Sequence, residues 1–259
     1  MLPLFKSHYS IGKSILTLDP SETGLGPSSI ISIALDNNLK EIVLVEDSPI
    51  GFLESLKVCE ENNIQLIFGL RFNFCESPIT KEKTTDFHKV IIFSKNKNGC
   101  SLLNSIYTEA FTKNGGFLNR DVLKSLWSSK DLKLCIPFYD SFIYKNLFSF
   151  SGFVPDFDFA SPTFFLEKNG LPVDDCLRKG TLSYAKSSNL STAEVQSIYY
   201  KNKSDSSAFM AYKLICSRKN FGGRATSLEM PNLDHMGSDE FCWESYLEKT
   251  HEQETITED

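Results

Sequence analysis

The residues of this chain best suited to chemistry lie where short apolar runs give way to polar ones. Leu4-Phe5 is followed by Lys6-Ser7-His8-Tyr9-Ser10, and Lys13 comes shortly after. The run Ile42–Val45 ends in Glu46-Asp47, Ile64–Phe68 ends in Gly69-Leu70-Arg71, and His88 opens the run Val90–Phe93. Imidazole and carboxylate groups donate lone pairs to a cation, and a cation so held can turn bound water into a nucleophile. Lysine and arginine have no free lone pair at neutral pH and cannot do this. Of four His, His235 and His251 lie towards the C-terminus, which leaves His8, Glu46, Asp47 and His88 as candidate ligands and Lys6, Lys13 and Arg71 as cations among them. Each has a plainer reading. Glu46-Asp47 suits a strand-end turn, with Asp47 capping a helix, while His8 and His88 suit structural histidines. Gly24-Leu25-Gly26 lacks the rest of a phosphate-binding loop. Lys95–Gly99 suits a polar turn, and Asn220–Arg224 a loop.

The elements that position these residues follow from periodicity. Strand-length runs at 4–5, 42–45, 64–68, 90–93, 132–136, 163–166, 182–185 and 195–200 alternate with helical stripes at 28–37, 49–59, 102–111, 119–127, 142–147 and 204–215. Asn119 and Ser204 read as helix caps, and Gly115-Gly116 as a break. The count predicts about seven mostly parallel strands ringed by helices, which suits a closed α/β barrel better than an open sheet. In such barrels chemistry gathers where strands end, so the residues singled out above would share one mouth.

Composition sets the outer bounds. Of 259 residues 41% are hydrophobic, enough for a sizeable core, and no run of 18 apolar residues suggests a membrane span. Seven Cys with no C-x-x-C pair argue against a zinc ribbon or disulfide framework and for reduced, cytoplasmic thiols. The net charge of −6 is uneven: residues 236–259 hold eight acids against Lys249, so residues 1–235 are near neutral and carry no strong basic surface for nucleic acid. We therefore divide the chain into a barrel domain, 1–235, and an acidic C-terminal tail, 236–259. Residues 251–259 are expected to be mobile, with Phe241, Trp243 and Tyr246 anchoring the segment before them.

In order and spacing these motifs resemble the PHP domain found at the start of bacterial DNA polymerase III alpha subunits. Lys6-Ser7-His8-Tyr9-Ser10 parallels that family's opening His-x-Asp or His-x-His and Tyr-Ser, Val45-Glu46-Asp47 its Thr-Asp-His, and Gly69-Leu70-Arg71 its Gly-x-Glu. His88, Lys95-Asn96, Leu102-Leu103 and the run Thr163–Glu167 continue the pattern, with looser echoes at Tyr200, Asp205, Ala208 and Leu228–Met230. The resemblance implies a distorted (β/α)7 TIM-type barrel whose active members hold about three divalent metals at the mouth. It also implies a degenerate site. Lys6, Lys13 and Arg71 replace ligands, the position after the fifth strand falls at Phe138 or Tyr139, and the last Asp-x-His becomes Ser197-Ile198-Tyr199. Glu46, Asp47 and Asp140 are then expected to pair with the cations that stand in for metal.

Three functions follow from that resemblance. The first is an inactive PHP-like scaffold or protein-interaction module without cofactor, with a DNA polymerase or another replication protein as partner. The second is a phosphoesterase or 3′–5′ exonuclease that uses a reduced site of His8, Glu46, Asp47 and His88 with Mn or Zn. The third is a structural block in a larger assembly.

Overall fold

The computed structural model describes residues 1–20, 26–76, 87–216 and 238–258, with side chains as far as 252 in the last segment. Gly24, Leu25, Asn220–Arg224, Leu228–Met230, His235 and Asp259 lie outside the described residues.

Seven strands close on themselves. They are β1 (Leu2–Phe5), β2 (Glu41–Glu46), β3 (Gln65–Cys75), β4 (His88–Ser94), β6 (Leu132–Ile136), β7 (Thr163–Leu166) and β8 (Ser191–Ile198). Each pairs with the next in that order, and β8 returns to β1 with Leu4 opposite Ser197. β4 alone of the seven runs antiparallel, to both β3 and β6. A three-residue strand, β5 (Phe117–Asn119), adds to the far end of β3 outside the closed ring. The fold is thus a mixed α/β, distorted TIM-type barrel.

Around it run α1 (Ile30–Asp36), α2 (Phe52–Glu61), α3 (Lys97–Thr108), α4 (Arg120–Leu126), α5 (Phe142–Ser149), α6 (Asp174–Ser187), α7 (Ser206–Cys216) and α8 (Trp243–Glu258). Caps set several starts: Ser29 accepts from Ile31 and Ser32 N–H, Asn119 from Val122 N–H and Ser141 from Tyr144 N–H. Two expected caps fall elsewhere. The N-cap of α2 is Gly51, too far on for Asp47 to cap the helix. The turn before α7 is closed by a reciprocal Asn202–Asp205 capping box, not by Ser204. The expected strand at 182–185 is helix instead. Leu177, Thr181 and Ala185, four residues apart, bury one face of α6, whereas Leu182 is largely exposed.

Strand alternation separates two apolar layers. Leu4, Val43, Val45, Ile91, Phe93, Cys135, Phe165 and Val195 point inward and fill the lumen. Gly69 belongs to the same layer, where a Cβ would lie 2.6 Å from the Phe93 ring. Phe5, Leu44, Leu70, Val90, Ile92, Leu134, Phe164 and Ile198 point outward against the helices. The acidic C-terminal segment is built into this body: Phe241 and Trp243 are buried, Trp243 stacks on Phe5, and Tyr246 stacks on Trp243. From Trp243 the chain is helical to Glu258. Among the described residues no helix is long and apolar enough to cross a membrane.

Candidate functional site

At the end of the barrel where β1, β2, β3, β6, β7 and β8 finish and β4 begins, the inward positions change from apolar to charged. Continuing the lumen alternation by two residues takes Leu4 to Lys6, Val45 to Asp47 and Phe165 to Glu167. It also takes Cys135 through Pro137 to Tyr139, and Val195 through Ser197 to Tyr199. Lys6, Tyr139, Glu167 and Tyr199 line a pocket of about 270 Å³.

Two ion pairs span this mouth. Lys6 Nζ lies 3.0 Å from Asp47 Oδ1, and Arg71 Nη2 lies 2.9 Å from Asp140 Oδ2. The Lys6 side chain is 5% exposed and that of Asp47 39%, so the desolvation cost falls mainly on the lysine. Both groups shift downward, for different reasons. Burial dominates at Lys6, opposed by Asp47 and Glu46. At Asp47 burial pushes up, but Lys6 and then Arg71 outweigh it and hold the carboxyl below its usual range. At Arg71 burial pulls down, and Asp140 together with further anions more than compensates.

Glu167 is the third carboxylate of the mouth, and it was not among the residues singled out from the sequence. It is 4% exposed and accepts from Ser197 N–H, Ser197 Oγ and Asn169 Nδ2, each at 3.0 Å. Burial raises its pKa against those hydrogen bonds. Lys89 was also missed. On antiparallel β4 the residue beside Arg71's strand neighbour Ile91 in the lumen row is Lys89, whose Nζ donates to the Asn73 side-chain carbonyl. Burial and the nearby Arg71 guanidinium push its pKa down to about 8. The strand-end rule, applied to β7 as it was to β2, would have found Glu167. Lys89 could be found only by knowing that β4 runs backwards.

The predicted cluster therefore assembles in part. Lys6, Lys13, Arg71 and Tyr199 line the pocket, with Asp47 on Lys6. Tyr139, not Phe138, lines it after β6. Glu46, His8 and His88 do not. Glu46 has the outward phase of β2; it is fully buried and accepts from Ser7 N–H at 2.8 Å and from Ser10 Oγ, fastening the loop after β1. Burial raises its pKa, opposed by Lys6 and the serines. The His8 ring lies tilted against that of Tyr9 in that loop, at 4.3 Å between ring centroids. His88 shares the outward phase of Val90 and Ile92, and sits fully buried among Phe74, Phe142, Phe153 and Phe157. Neither ring nitrogen has a hydrogen-bond partner, and burial pushes the pKa down to about 3, so the ring is neutral.

A metal site needs several lone-pair donors converging on one point. Among the described residues no three His, Cys, Asp or Glu side chains are grouped to share an ion. The mouth carboxylates that are present already face Lys6, Arg71 or amide and hydroxyl donors. This donor set does not fit the multi-metal centre that the sequence resemblance brings to mind.

No family model and no curated protein matches the chain. Among solved structures, one similar chain is a protein from Bifidobacterium adolescentis provisionally described as a metal-dependent phosphoesterase. It is 9% identical, covers 75% of this chain and 87% of its own, and has a TM-score of 0.38. Likeness at that distance carries no assignment of activity or ligand.

Proposed function

We propose that this chain is a PHP-type barrel in which side-chain cations have taken the place of metal ions, and that it serves as a scaffold or protein-interaction module, not as a phosphoesterase. The observation that carries this reading is the pairing of Lys6 with Asp47 and Arg71 with Asp140 at the mouth. A divalent ion placed there would meet fixed positive charge. At ~4 Å, two like unit charges repel by roughly 4 kcal/mol at an effective dielectric near 20, and more for a divalent ion. Breaking either pair would instead strand a charge in a poorly solvated place, which favours keeping both partners. The placement of Glu46 and His88 away from the pocket weakens the reduced-site phosphoesterase reading, which relied on them as ligands.

The resemblance to replicative polymerase subunits suggests a polymerase or another replication protein as the partner. Exposed apolar side chains at the end of α5, Leu147, Phe148 and the 89% exposed Phe150, offer such a partner contact area.

The test is an assay of the full chain on a phosphodiester and on single-stranded DNA with added Mn²⁺. No turnover above a buffer blank is expected. Turnover that disappears in Asp47→Ala would contradict the proposal. The double change Lys6→His and Arg71→Glu is expected to raise Mn²⁺ affinity, because both positions face the lumen. No gain would show that they are not ligand positions.

A further inference from the structure

A line of buried polar groups ties the mouth to the C-terminal helix. Residues 238–252 lie against the chain just after β7 and β8. Tyr199 N–H donates to the Phe241 carbonyl at 3.0 Å, Trp243 N–H to the Tyr200 carbonyl at 3.1 Å, and Ser238 Oγ to the Asn169 carbonyl at 2.5 Å. Phe241 itself lines the pocket. Behind this wall sit two side-chain amides, Asn169 and Gln196, both fully buried and neither part of the pocket lining. An amide has a donor end and an acceptor end, so its orientation is fixed by what each end meets.

Here the orientation follows from α8. Lys249 Nζ can only donate, so the Gln196 atom it meets, at 3.0 Å, is Oε1. Gln196 Nε2 then points the other way, 2.7 Å from both the Glu240 carbonyl and Asn169 Oδ1. The Glu240 carbonyl can only accept, which fixes the same orientation a second time. With Oδ1 so used, Asn169 turns its Nδ2 to the mouth and donates to Glu167 Oε2 at 3.0 Å and to the Tyr139 hydroxyl at 3.2 Å. Each amide thus passes on the donor that Lys249 starts. Lys249 also holds the Lys168 carbonyl at 2.6 Å and Glu240 Oε2 at 3.0 Å, while its direct contact with Asn169 Oδ1 is long, 3.4 Å.

We propose that Gln196 and Asn169 form a relay by which the docked C-terminal segment keeps Glu167 an ionised acceptor, with Lys249 and the Glu240 carbonyl as positioning groups for a carboxylate they do not touch. The relay goes beyond the scaffold reading and does not rest on it, since none of its members is ion-paired with Lys6 or Arg71 among the described residues. Hydrogen bonds to a carboxylate favour its charged form. Burial raises the Glu167 pKa, and Ser197 and the Asn169 amide oppose it. Arg71 from β3 also favours the charge, Tyr139 and Tyr199 are the other titratable groups beside it, and Asp174 of α6 holds the Tyr139 hydroxyl at 2.8 Å. Were residues 238–252 lifted away, Asn169 would lose the donors that orient it, Glu167 would take up a proton more readily, and Phe241 would leave the wall. The segment is a strap whose docking sets both the charge and the shape of the mouth.

The experiment is a carbon-13 NMR titration of the Glu167 side-chain carboxyl in the full chain, the signal assigned by its absence in Glu167→Gln. Gln196→Met keeps the Lys249 charge and cuts the relay. Glu167 is then expected to hold its proton roughly tenfold more tightly, as loss of one charge-assisted hydrogen bond allows. Lys249→Met, at a side chain that reaches solvent, is expected to act in the same direction but less, because the Glu240 carbonyl still holds Gln196. Lys203→Met removes another cation from Glu240 without touching either amide, and should leave Glu167 as it was. Circular dichroism confirms folding, and if Gln196→Met does not fold, the two lysine variants decide. The relay is overturned by a folded Gln196→Met or Lys249→Met with an unshifted Glu167, or by Lys203→Met shifting Glu167 as far as Lys249→Met does.

Discussion

The mouth of the barrel and the aromatic cage around His88 bury polar groups in opposite ways. In the mouth, Lys6, Arg71 and Glu167 each have a partner within 3.0 Å, and the site carries charge. In the cage, His88 has four aromatic neighbours, no hydrogen bond and a pKa of about 3, lowered by burial and then by the Lys145 charge, so the ring itself carries none. The two residues at the start of β4 belong one to each: Lys89 faces the lumen and His88 the helices. A one-residue step across a strand thus decides whether a titratable side chain joins the mouth or becomes a neutral part of the core. Charge survives burial where counter-charges and donors are fixed around it, and is given up where they are absent.

Removing a partner from the mouth breaks the comparison hardest. Glu167→Ala strands the Ser197 N–H, the Ser197 hydroxyl and the Asn169 amide together. A loss of about 4 kcal/mol is expected in urea unfolding. Glu167→Gln, which keeps an acceptor, should cost clearly less. Equal losses would mean that the carboxylate's hydrogen bonds matter little.

Acid tests the cage. A histidine with a folded pKa of about 3 and an ordinary unfolded value of 6.5 stays neutral in the native state while the unfolded chain takes up a proton. Its neutral burial costs nothing above pH 6.5, and stability then falls with pH down to about 3 by roughly 1.4 kcal/mol per unit. Between pH 7 and 4.5 this amounts to about 2–3 kcal/mol, and His88→Phe should remove that part of the slope. An unchanged slope in the variant would show that His88 is not caged.

A smaller effect is expected at the ion pair that reaches solvent. Asp47→Asn leaves Lys6 buried, but Asp47 is 39% exposed and Glu46 remains close, so a loss of about 1–2 kcal/mol is expected at neutral pH. The wild-type contribution is present above the ordinary carboxylate range and is lost as pH falls through the depressed pKa of Asp47. Thermal melts at two pH values check both statements.

The barrel was legible in the sequence because seven of the strand runs are real and close into one ring. The eighth, at 182–185, reads as a strand only locally, since Leu177 and Thr181 complete a helical face with Ala185. The partners of the mouth were legible as charge: opposite signs at the ends of β1, β2 and β3, with Asp140 after β6, did come together as pairs. What periodicity could not supply was phase. Nothing in Val45-Glu46-Asp47 says which acid faces the lumen, because that depends on where the strand registers against β1 and β3. The same blindness put His88 in the candidate site and left out Lys89, since the backward run of β4 is fixed by its pairing with β3 and β6. Glu167 differs: its place directly after the run Thr163–Leu166 marks it in the sequence as a strand-end residue, just as Glu46-Asp47 follow Val45.

The central claim is that protein cations, not metal ions, neutralise the carboxylates of the mouth. Elemental analysis for Mn, Zn and Fe on the full chain, expressed with those metals supplied and purified without chelator, tests it most directly. Far less than one ion per chain is predicted, unchanged in Asp47→Ala. One or more tightly held ions per chain, lost on that substitution, would contradict it.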